Sequence, residues 1–126
     1  MIPLKDENPT NKKPIVSYCI IGFCVVIFLA QLGLSESELR DFTYSYGLIP
    51  SVLMGIDQLP NDLFKISPVG TIFTSMFMHG GWMHLIGNML YMWIFADNIE
   101  DDLGIFNFVI FYLICGIGAA MSQVLM

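Results

Sequence analysis

Two side chains able to polarise a carbonyl stand four positions apart, His84 and Asn88, and a second histidine, His79, lies five positions before the first. Four residues of α-helix end about 40° past a full turn, so this imidazole and carboxamide project into the same space. Asn88 carries two N–H donors, and a neutral His84 offers one more. Donors gathered on one face of a buried helix suit an oxyanion hole, which stabilises the tetrahedral intermediate of acyl transfer. A plainer use is also open: Asn88 can bond a neighbouring helix, and His84 can cap a span at the membrane interface. A metal site is disfavoured, because on a regular helix His79 and His84 diverge by about 140°. No carboxylate or thiolate stands at helical spacing to complete a ligand set. The spacing therefore calls for neither a metal nor another cofactor.

These residues open a short apolar run, Trp82 to Ala96, which ends at Asp97. As a helix it would be about 22 Å long, against a hydrocarbon core of roughly 30 Å. Either the bilayer thins around it, or one end is sunk in protein or a water-filled cavity. Polar side chains at such depth are expensive, and an ionisable one is a functional candidate by default. Upstream, Ile15–Leu34 carries no charge and only Ser17, Tyr18 and Gln31 as clear polar interruptions. It is long enough to cross a membrane, and too long for the roughly 7–15 residue core of a signal peptide. Downstream, 105–126 is a further apolar run with a stripe of Gly116, Gly118, Ala119, Ala120 and Ser122. Small residues of this kind let helix backbones approach closely in lipid.

The resulting expectation is an all-α, polytopic membrane helix bundle with three spans. Residues 1–14 form a cytoplasmic tail, 15–34 span 1, 35–81 an external interfacial loop, 82–97 span 2, 98–104 an acidic turn, and 105–126 span 3. In the loop, Ser35 with Glu38 reads as a capping box. Pro50, Pro60 and Pro68 then break the remainder into short pieces. Its aromatic and aliphatic residues, Phe42, Tyr44, Tyr46, Leu48 and Ile49 among them, suit packing at headgroup level. Lys5, Lys12 and Lys13 in the tail outnumber Arg40 and Lys65 in the loop, which favours a cytoplasmic N-terminus.

Composition excludes the soluble alternative. The 126 residues are 56% hydrophobic and 13% charged, whereas soluble domains average about 25% charged. A net charge of -6 with only five Lys and Arg residues argues against nucleic acid as a partner. The partner the composition demands is the lipid bilayer. Cys19, Cys24 and Cys115 all lie in apolar runs and read as small packing residues.

The segment Thr74–Met89, with its H-x4-H-x3-N spacing, the apolar helix after it and the E-D-x-L-G run at Glu100–Gly104, resembles the signature region of the rhomboid family of intramembrane serine proteases. The resemblance covers roughly Thr71 to Ala120; the first span and the long loop fit only in length and position. It implies a six-helix bundle whose active site opens outward through a water-filled cavity, and transmembrane proteins as substrates. By the same resemblance His84 and Asn88 stabilise the oxyanion together with the nucleophile's backbone amide. His79 takes a supporting place at the cavity floor or in water positioning. Glu100 ties down loop backbone, and Gly104 belongs to the same structural turn.

Two departures limit what carries over. Some members hold a Trp-Arg pair shortly before the first histidine, where this chain reads Gly70-Thr71. Members also use a serine in a G-x-S-G setting on a fourth span and a histidine on a sixth. Here the sequence given ends at Met126, and Ser122 sits in A-A-M-S-Q. A serine without a positioned base is not activated. The expectation is thus the N-terminal portion of a serine-type intramembrane endopeptidase, inactive by itself because nucleophile and general base are not in this chain. The rival is a non-catalytic rhomboid-like adaptor that binds transmembrane helices without cutting them. A weaker third reading is a transporter or channel subunit that uses the His/Asn cluster as a polar pathway.

Overall fold

The computed structural model describes residues 11–126, so most of the expected tail, with Lys5, lies outside the described residues. The described chain is all helix: α1 Ile15–Leu32, α2 Glu36–Tyr46, α3 Pro50–Leu53, α4 Pro68–Ser75, α5 Trp82–Tyr91, α6 Asp97–Leu103 and α7 Ile105–Leu125. A single π turn, Met92–Ala96, joins α5 to α6 without a break. Among the described residues two helices, α1 and α7, are long and apolar enough to cross a membrane. The chain is a membrane helix bundle.

The capping box forms at the start of α2: Ser35 Oγ accepts from the Glu38 amide at 3.3 Å, and Glu38 answers the Ser35 amide at 2.8 Å. Those contacts hold the Glu38 carboxyl below its usual range. Pro50 and Pro68 open α3 and α4, where a missing N–H is harmless. The long loop is therefore a set of short helices. Thr74 Oγ1 on α4 donates to the carbonyl of Tyr46, tying α4 to the end of α2.

α1 runs along α5, the π turn and α6. Its core contact is Cys24, Phe28 and Leu85, flanked by Ile20, Phe77 and Met89. Edge-on packing of Phe28 against Trp82 and stacking of Tyr18 on Trp93 extend the seam in both directions. α4 packs on α7. There Gly116 earns its place: a Cβ built on it would overlap the side chain of Met76.

The 98–104 segment is not the expected acidic turn. Residues 97–103 are helical, so the rod continues from Trp82 to Leu103, about 33 Å at 1.5 Å per residue. The chain reverses at Gly104, whose φ of 80° places it where L side chains are strained. Two of the acids have partners at the start of α1 and before it. Glu100, only 4% exposed, accepts from the amides of Val16 and Ser17 at 2.9 Å each and from Ser17 Oγ at 2.7 Å. Asp101 accepts from the amides of Asn11 and Lys12 at 3.0 and 3.1 Å. These are the orphan donors of the first turn of α1 and the residues before it, and a carboxylate there also suits the helix dipole. Glu100 thus ties down backbone, but that of α1 and not of a loop.

Candidate functional site

His79 follows α4, and Gly80 and Gly81 separate it from Trp82, where α5 begins. It is therefore not on the helix that carries His84, and the 140° divergence expected for a continuous helix does not occur. The two imidazoles instead stand edge to face, with ring centroids 5.0 Å apart. Asn88 Nδ2 lies 3.2 Å from His79 Nε2, so the carboxamide's structural partner is the upstream histidine. With the amide donating, Nε2 accepts and the ring proton sits on Nδ1.

His79 is 5% exposed, and its Nδ1 has no hydrogen-bond partner. Burial pushes its pKa below the ordinary imidazole value, and the neighbouring His84 adds to that. A neutral His79 can fix the rotamer of Asn88 without placing a positive charge in the site. One amide N–H of Asn88 is committed to His79; the other remains for a ligand. His84, exposed on the same wall, keeps its ring nitrogens free among the described hydrogen bonds.

All three residues line one cavity of about 480 Å³ between α4, α5 and α7. Its far wall is a stripe of α7: Tyr112, Cys115, Gly116, Ala119 and Gln123. Sequence reasoning noted the small members of this stripe as packing residues and missed Tyr112 and Gln123 as cavity lining. Their spacing of three and four along one helix face was the available signal. Ser122 does not face the histidines: its hydroxyl donates to the Gly118 carbonyl at 3.0 Å, one turn back on its own helix. Among the described residues no three His, Cys, Asp or Glu side chains are grouped to hold a metal ion.

The fold and cavity define a helical membrane protein with an imidazole–carboxamide cluster on one wall. Residues 67–126 match the Rhomboid domain family. A curated relative, Rhomboid-like protein 11, chloroplastic, of Arabidopsis thaliana, is 37% identical over 46 residues, or 36% of this chain. That match spans 16% of the relative's own length. No solved structure matches the chain. The likeness to rhomboids thus rests on residues 67–126, a little under half of the chain.

Proposed function

We propose that the chain supplies the oxyanion-binding wall of an intramembrane serine endopeptidase that cleaves transmembrane proteins. The observation that carries this reading is the convergence of His79, His84 and Asn88 on one cavity, with one carboxamide N–H left over. Such donors stabilise negative charge as it develops on a carbonyl oxygen. His84 and Asn88 are the donors; His79 positions Asn88. Glu100 and Gly104 hold the frame in which α5 presents them. The nucleophile and base belong to segments outside these residues, and the first loop lies on the outer side with the N-terminus cytoplasmic.

A non-catalytic adaptor is the second reading. It draws on the engagement of the Ser122 hydroxyl with Gly118 and on a relative whose name says rhomboid-like. The two are separated by expressing the native gene with a transmembrane reporter and labelling with a fluorophosphonate. A protease cuts the reporter, takes the label, and loses cutting in Asn88→Ala while still folding. An adaptor retains the reporter uncut, takes no label, and keeps its binding in Asn88→Ala. The 126 residues alone are expected to take no label, and robust labelling of them would overturn that expectation.

A further inference from the structure

A second cavity, about 310 Å³, lies on the opposite side of the His79 segment. It is walled by Phe23 and Ile27 of α1, Phe42 and Tyr46 of α2, Thr74 of α4, and Phe77 and Met78. Thr74 and Tyr46 bring the lining's two hydroxyls, and that of Thr74 is engaged by the Tyr46 carbonyl. The rest of the lining is hydrocarbon, aromatic ring and thioether, which suits an apolar ligand.

Depth decides what surrounds it. Phe23 sits at the middle of the membrane-spanning α1, and Ile27 about 6 Å further along. α2 starts beside the end of α1, with Glu36, Glu38, Arg40 and Asp41 in its first half. Its aromatic second half supplies Phe42 and Tyr46, which share the groove with mid-span residues. The charged half thus marks the membrane surface, and the groove lies below it. Outside, the groove continues into the exposed apolar face of α1, where Phe23, Val26 and Leu29 are each more than half exposed. That face borders hydrocarbon, not water.

We propose that the groove is an acyl-chain site: one tail of a bilayer phospholipid seats between α1, α2 and the Phe77–Met78 segment. The site has a consequence for the first cavity because Met78 lines both. A tail against Phe77 and Met78 backs the segment that delivers His79 to Asn88. An empty groove removes that backing and leaves the segment to the packing of Phe77 on Phe23, Tyr112 and the Cys24–Phe28–Leu85 core. The inference rests on the membrane placement of α1 and not on the protease reading.

The test uses the full chain in phosphatidylcholine nanodiscs doped with a phosphatidylcholine carrying a mid-chain diazirine. After irradiation, adducts on Phe42–Tyr46 and Phe77–Met78 are expected several-fold above those on Val26 and Leu29. Ile27→Trp, whose indole fills the groove, should abolish the groove adducts and leave the others. In detergent stripped of phospholipid, carbethoxylation of His79 should rise several-fold, and Ile27→Trp should hold it low. Adducts spread evenly over every exposed apolar face would reduce the groove to ordinary annular contact and overturn the proposal. Crosslinks joining two copies through the groove would overturn it in favour of self-association.

Discussion

Asn88 on α5 is hydrogen-bonded to His79, which precedes that helix, across 3.2 Å from Nδ2 to Nε2. The carboxamide's direction is thus set by a residue outside its own helix. In the intact enzyme that the proposed function requires, Asn88→Ala should cost about 10²–10³ in kcat. His79→Ala should cost less, and His79→Gln, which keeps an acceptor, should recover part of that loss. Reporter cleavage in membranes, normalised to folded protein, checks the order.

His79 also makes stability depend on pH. In the unfolded chain it titrates near the ordinary 6.5, while in the fold burial holds it lower. Between those values the unfolded state binds more protons, so stability rises with pH. The contribution is complete above about pH 6.5 and is lost as pH falls toward the folded value. Unfolding midpoints of wild type and His79→Gln in detergent, compared from pH 8 to 5, should diverge above this window and converge below it.

Glu100 carries three hydrogen bonds to the start of α1. Glu100→Ala strands a buried and a half-buried amide and a hydroxyl, and should destabilise the bundle by about 2–4 kcal/mol. Glu100→Gln keeps part of the acceptor capacity and should cost less. Ser17→Ala removes a single bond and should cost about 1 kcal/mol. Equal midpoints for Glu100→Ala and Ser17→Ala would show that the backbone bonds contribute nothing.

Gly116 and Met76 form a coupled pair. Gly116→Val should destabilise by about 1–3 kcal/mol through overpacking, and Met76→Ala should relieve much of it. A double-mutant cycle on the two positions should give a coupling beyond 0.5 kcal/mol, the usual range for residues in contact. Simple additivity would mean that α4 and α7 are free to separate.

The π turn holds one residue more than an α-helical turn would. Leu85 and Glu100, fifteen positions apart, both face α1. Without the extra residue fourteen would remain, about two heptads, which is the repeat of side-by-side helices. Deleting one residue within Met92–Ala96 should therefore convert the turn to α-helix and leave Glu100 on Ser17. Inserting one residue there should rotate Glu100 off α1. Thermal midpoints that fall as far for the deletion as for the insertion would disprove this phasing.

The apolar runs of α1 and α7 and the His/Asn cluster were legible from residue types and spacing, because hydrocarbon permits few alternatives. The relation of His79 to α5 was not, since counting along a continuous helix assumes that the helix includes both histidines. Here Gly80 and Gly81 let the chain bend before α5 starts. Nor did the sequence reveal that Ser17, read only as a polar interruption of a span, answers Glu100. A pairing across 83 positions leaves no local period to detect. The acidic residues suggested a turn because their partners, backbone amides, carry no sequence signature.

The distance along the chain between Ser17 and its carboxylate also orders events during synthesis. α1 is complete long before Glu100, 83 positions later, has been made. Until then the first helix stands in the bilayer with its opening amides held only by water and headgroups. It is free to slide or tilt to suit the membrane. The arrival of α6 ends that freedom and fixes the depth of α1. α1, made well before α6, is thus set in its final position only when α6 arrives.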